Sequence, residues 1–135
     1  MTKPSLIALV MVFACDPGGA IAVVPLPGTS WILEEVGGAQ AVARGRATLE
    51  FTEPGRASGN GSCNRFSGTV AIAWDSVSFG PLMSTKMACV EEALTNQETR
   101  YLAALGSAQR YAIAGDTLRI YAADGGALRF IRAAP

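Results

Sequence analysis

A chain of 135 residues has room for one domain with short tails, and its eleven basic and eleven acidic residues cancel without forming any basic block. That balance excludes the electrostatic footprint of a nucleic-acid binder. The chain has no histidine, which removes Ser-His and Cys-His catalysis, histidine-ligated zinc and the commonest general base.

Residues 1–15, MTKPSLIALVMVFAC, carry one positive charge at Lys3, an uncharged run from Leu6 to Ala14, and then Cys15. This has the form of a secretory signal. The run is far short of the roughly 20 apolar residues a membrane-spanning helix needs, and Asp16-Pro17 ends it. Val12-Phe13-Ala14-Cys15 resembles a bacterial lipobox, whose cysteine receives lipid and becomes the first mature residue, although Phe13 departs from the small or β-branched residue usual there. Ala20-Ile21-Ala22 offers the alternative of ordinary cleavage after Ala22 and soluble release. The expectation is export to the periplasm or cell envelope, with membrane attachment through a lipid on Cys15. Residues 16–28, DPGGAIAVVPLPG, are rich in proline and glycine and read as a linker, so the domain is expected over 29–135.

Within that domain, residues 29–36 form a predicted strand with Trp31 and Leu33 on one side, ended by Gly37-Gly38. Leu49 and Phe51 alternate with Glu50 over 47–51, and 52–56 (TEPGR) read as a turn. A glycine-rich stretch follows, then a strand over 66–74 with Val70, Ile72 and Trp74 at period two, a turn at Asp75-Ser76, and resumed alternation over 77–79. The spacing of Leu94, Tyr101, Leu102 and Leu105 predicts an amphipathic helix between about Val90 and Leu105, with Glu91 and Glu92 favouring its amino end and Gly106 able to cap the other. Three further strands are expected at 109–115, 117–122 and 127–132, separated by turns at Asp116-Thr117 and Asp124-Gly125-Gly126. Strands, one helix, then strands indicate an α+β domain in which a curled, mainly antiparallel sheet packs against that helix.

Once Cys15 is acylated or cut away, export leaves Cys63 and Cys89 as a pair. In an oxidising compartment the expected state is a disulfide; the competing reading is a reactive thiol whose pKa Arg65 or Lys86 would lower. Asn64 fits a left-handed turn whose amide bonds neighbouring backbone. Two cysteines with scattered carboxylates offer no metal set, and no cofactor is expected.

GTSWIL (28–33), TLEF (48–51), GNGSCNRFSG (59–68), FGPLMSTKMAC (79–89), YLAAL (101–105) and LRIYAADGGALRF (118–130) follow the order and spacing of a known family. On these blocks the chain resembles the META domain family of HslJ-like, heat-inducible bacterial envelope proteins. The resemblance implies a barrel-like curled sheet with a helix, frequent export or lipid anchoring, an association with stress and drug tolerance, and no established reaction. The expected function is a non-enzymatic binding or interaction module whose partner is an envelope protein or a hydrophobic ligand. Asn64, Arg65, Thr85 and Lys86 form the candidate binding surface beside the cysteines. The alternative is a hydrolase or acyl-transfer enzyme with Cys63 or Ser84 as nucleophile and Lys86 as base. On a strand, Ser84 and Lys86 would share a face about 7 Å apart, beyond direct hydrogen bonding.

Overall fold

The computed structural model describes residues 26–87 and 89–134. The signal segment, Cys15 and the Ala20-Ile21-Ala22 cleavage site lie outside them. The described chain runs β1 (Thr29–Val36), β2 (Ala39–Gln40), β3 (Thr48–Glu53), β4 (Arg56–Asn60), β5 (Arg65–Ala73), β6 (Ser76–Phe79), β7 (Met83–Ser84), α1 (Glu92–Gly106), β8 (Ala108–Ala114), β9 (Thr117–Ala122) and β10 (Ala127–Arg132). Eight strands close into an antiparallel barrel in the order β1, β3, β4, β5, β6, β8, β9, β10, and β10 returns to pair with β1. The short strands β2 and β7 add to β1 and β5 at one end.

The inward-facing alternate residues of the strands make the core, because side chains along a strand point to opposite faces. Leu49 and Phe51 of β3, Phe66 and Val70 of β5, Leu118 and Ile120 of β9, and Leu128 and Phe130 of β10 are all buried. In β1 the alternation Trp31, Leu33 would next turn Glu35 inward. A register shift against β10 between Leu33 and Glu35 lets Val36 face the core instead and leaves Glu35 outside, paired with Arg129 at 2.8 Å. Aromatic rings occupy the centre: Tyr101 meets Phe66 edge-on at 5.7 Å and Phe130 at 6.0 Å between centroids. Edge contacts of this kind contribute about 0.5–1.5 kcal/mol each beyond area burial. Among the described residues these side chains belong to one buried apolar cluster inside the barrel.

Helix α1 lies across one mouth of the barrel, touching β1, β6, β9 and β10. Glu92 sits in its first turn, where a carboxylate opposes the helix dipole favourably, while the N-cap Glu91 makes no side-chain cap bond. The helix ends at Gly106, where the Ser107 amide donates back to Ala103 O at 3.2 Å. Gln97, Tyr101 and Leu105 are the buried positions; Leu94 and Leu102 are half-buried. Among the described residues no helix is long and apolar enough to cross a membrane.

Three features depart from the sequence reading. Residues 56–60, read as the end of a turn and a glycine stretch, form β4, paired with β5 from Arg56↔Thr69 to Asn60↔Arg65. Leu26, assigned to the linker, is 1% exposed and belongs to the core; the Gly28 amide donates to Phe51 O, tying the same stretch to β3. Trp74 does not continue the inward alternation of Val70 and Ile72. It sits past the end of β5 at φ 56°, inside a hairpin turn, and is 86% exposed. The left-handed backbone there ends the alternation one residue before the indole.

Candidate functional site

The sequence-predicted polar residues lie at the helix-covered mouth, where the β4–β5 turn (60–64), residues 85–87 and Cys89 after β7, and α1 converge. Cys63 and Cys89 are joined in a disulfide with Cα atoms 5.8 Å apart, within the usual range for such bridges. Asn64 is 5% exposed and uses its whole amide. Its Oδ1 accepts from Met87 N at 2.7 Å and from Thr85 Oγ1 at 3.1 Å; its Nδ2 donates to Met87 O at 3.1 Å and to Glu98 Oε2 at 2.8 Å. The side chain therefore pairs with Met87 as a neighbouring strand would, fixing a stretch that has no strand partner of its own. The left-handed position expected at Asn64 falls instead on Ser62, at φ 144°, whose amide donates to Asn60 Oδ1.

Glu98 and Gln97 complete the site, and the sequence reading did not single out either. Glu98, half-buried, accepts from Asn64 N at 2.7 Å and Cys63 N at 3.2 Å through Oε1. Its Oε2 lies 3.7 Å from Cys63 Sγ. Gln97, 1% exposed, accepts from Val42 N at 2.7 Å and donates to Ser62 Oγ at 2.8 Å and Gly45 O at 3.3 Å. Two adjacent helix residues thus tie down the loop between β2 and β3 (41–47) and the β4–β5 turn. Gly61 leaves the space for it: a Cβ there would come within 2.6 Å of Glu98 Oε1. Among the described residues every buried side-chain nitrogen and oxygen has a hydrogen-bond partner, as the cost of stranding one requires.

The site holds a disulfide and a polar clamp inside, with charge and apolar surface outside. Arg65 is exposed, with Glu50 Oε2 4.0 Å from its guanidinium. Thr85 and Lys86 are exposed. Ser84 lies in β7 opposite Phe66. On the same segment Met83, Met87 and Val90 are 77%, 66% and 101% exposed. Elsewhere, a shallow groove follows the seam where β6 and β8 share a single register pair, Ser76↔Arg110; it is lined by small residues including Ala71, Ala73 and Ala108, and none of the candidate nucleophiles is there. For chemistry, the arrangement disfavours a Cys63 nucleophile. Its sulfur is already bonded to Cys89.

Known proteins supply the remaining comparison. No curated protein matches the chain. Among solved structures it is similar to a Burkholderia xenovorans protein determined by NMR, with 30% identity over 82% of this chain and 85% of that one and a TM-score of 0.68. A second NMR structure is 23% identical over 78% of this chain and 90% of that one, with a TM-score of 0.65. A crystal structure of a DUF4847 family protein from Bacteroides vulgatus ATCC 8482 is 12% identical over 78% and 93%, with a TM-score of 0.56, a likeness of fold alone. The META domain family model matches residues 24–135, which takes in the whole barrel, the buried Leu26 and the clamped mouth, and the chain belongs to the META domain family.

Proposed function

We propose that the chain is a non-enzymatic, stress-related interaction module of the bacterial cell envelope. It is exported, anchored through lipid on Cys15, and binds an apolar partner, an envelope protein or a hydrophobic ligand, at the surface beside the disulfide. The observation that carries this reading is the exposure of Met83, Met87 and Val90 on a segment whose backbone is held by the disulfide and by Asn64. Methionine adapts to varied apolar surfaces, and a segment already ordered in the free protein loses little entropy on binding. Arg65 and Lys86, both exposed, flank it as polar anchors. The apolar cluster buried inside the barrel favours a surface over an internal pocket as the binding element.

The enzyme alternative lacks a favourable geometry at Cys63, and no observation singles out Ser84 with Lys86. The test is photo-crosslinking in intact cells from positions 83, 87 and 90, with position 56 at the opposite mouth as control. Capture of one partner from the first three and not from the control is expected, together with a lipid-modified amino-terminal peptide beginning at Cys15. Turnover of a substrate by purified protein, lost on replacing Cys63, Ser84 or Lys86 with folding intact, would sink the reading. Cleavage after Ala22 would remove the anchor from it.

A further inference from the structure

Among the described residues, the two sulfurs and the Glu98 carboxylate form the one group of three ligand-type side chains close enough together to hold a metal ion. Cys63 Sγ, Cys89 Sγ and a Glu98 oxygen all lie within 4.8 Å of one another. The sequence conceals this, because Glu98 follows the second cysteine at no metal-motif spacing and reads as solvated helix surface. We propose that the reduced form of the protein binds one zinc ion through the Cys63 and Cys89 thiolates and Glu98 Oε2, with a water in the fourth position. The proposal rests on the site geometry and is independent of the interaction reading above.

Geometry and ligand chemistry both point this way. Tetrahedral zinc with Zn–S near 2.3 Å and Zn–O near 2.0–2.2 Å spaces its ligand atoms about 3.5–3.8 Å apart. Glu98 Oε2 already stands 3.7 Å from Cys63 Sγ. The carboxylate is oriented in advance: Oε1 is held by the amides of Cys63 and Asn64, and Oε2 by Asn64 Nδ2, whose own side chain is fixed on Met87. Such outer contacts aim a ligand and are a regular part of metal sites. Two soft sulfurs with one hard oxygen suit a borderline ion such as Zn²⁺ better than Cu⁺, which prefers sulfur alone, or Mg²⁺ and Ca²⁺, which prefer oxygen.

The step balances as thiol–disulfide exchange followed by coordination. A dithiol reductant gives two electrons and two protons, the Cys63–Cys89 bond breaks to two thiols, and the reductant becomes its own disulfide. Zn²⁺ then displaces both thiol protons to solvent as two Zn–S bonds and one Zn–O bond form.

The experiment uses the full chain, reduced with a dithiol and freed of it by gel filtration under anaerobic conditions. Zn²⁺ is titrated against a chromophoric chelator, and Cd²⁺ is followed by its thiolate charge-transfer absorption. One metal per reduced chain and none per oxidised chain are expected. Glu98→Gln should weaken zinc binding at least about tenfold, Glu92→Gln should leave it unchanged, and Cys63→Ser should lose the cadmium band. The oxidised form of each cysteine-containing variant is checked for folding by its melting curve. No stoichiometric uptake by reduced protein, or a Glu98→Gln variant that binds as tightly as the parent, would overturn the proposal. If reduction unfolds the domain, zinc that restores its far-ultraviolet spectrum supports the site, and zinc that leaves it unfolded counts against it.

Discussion

The two mouths of the barrel are closed by different physics. At the mouth under α1, loops too irregular to pair in the sheet are held by directional bonds to Asn64, Gln97 and Glu98 and by the Cys63–Cys89 bridge. At the opposite mouth the chain turns through tight hairpins at 53–56, 73–76 and 114–117, and Leu26 is buried beside the start of β1. A short hairpin satisfies its own backbone through the strands it joins, so an apolar plug is enough there. A long connection has no such neighbour and needs side chains to act as strand partners. The disulfide and the buried polar side chains therefore collect at the first mouth, where polar groups are already required.

Substitutions that unfasten one mouth at a time test this division. The largest loss is expected from Cys89→Ala. Opening a loop of about 27 residues should lower unfolding free energy by about 3.5 kcal/mol in the chain-entropy picture, read by denaturant titration. Hydrogen exchange should quicken at 60–64 and 85–89 before the hairpin at 53–56; uniform quickening would show that the two mouths are not separately held. Leu26→Ala should cost about 3 kcal/mol through transfer and cavity terms, and its early exchange should fall at the hairpin mouth. A loss below about 1 kcal/mol would remove Leu26 from its role as plug.

Asn64→Ala strands Met87 N and leaves Glu98 with one donor fewer, so about 2 kcal/mol is expected by thermal or chemical unfolding. A loss near zero would mean that water replaces the amide and the clamp is incidental. The smallest effect belongs to Tyr101→Phe, which removes the bond to Thr48 O, 2.8 Å long, at a cost of about 1 kcal/mol near neutral pH. Burial holds the Tyr101 phenol well above its ordinary pKa of 10.0. As pH rises past about 10 the unfolded chain loses that proton first, so the wild-type contribution is complete below that pH and declines above it. The gap between wild type and Tyr101→Phe should therefore hold steady up to about pH 9 and narrow above about pH 10, and a gap that stays constant to about pH 11 would contradict the burial effect.

The barrel was legible wherever bulky residues alternated, as in Leu49-Phe51, Leu118-Ile120 and Leu128-Phe130. It was illegible in β4, whose inward positions are Ala57 and Gly59. A small residue faces in there because Thr48 O and the Phe66 ring lie against it, and nothing in a local window reveals that. Trp74 misled because alternation does not report the residue at which the backbone turns. For the site, cysteine parity and the blocks around Cys63 and Cys89 led to the pair that the structure joins in a disulfide. The helix stripe was read from Leu94, Tyr101, Leu102 and Leu105, whereas the observed face runs through Gln97 and Glu98 as well. Polar residues on a helix normally signal solvent; only the arrival of two loops from elsewhere in the chain turns these two inward.

The pairing of β1 with β10 also governs how the molecule comes into being. Trp31 lies opposite Arg132, roughly 100 residues later. During synthesis every other strand emerges before β1 can find this neighbour, so a growing chain carries an incomplete cylinder with two unsatisfied edges. Closure across so long a stretch of chain is slow compared with hairpin formation. The same arrangement leaves the domain without a closed core until its final strand has been made.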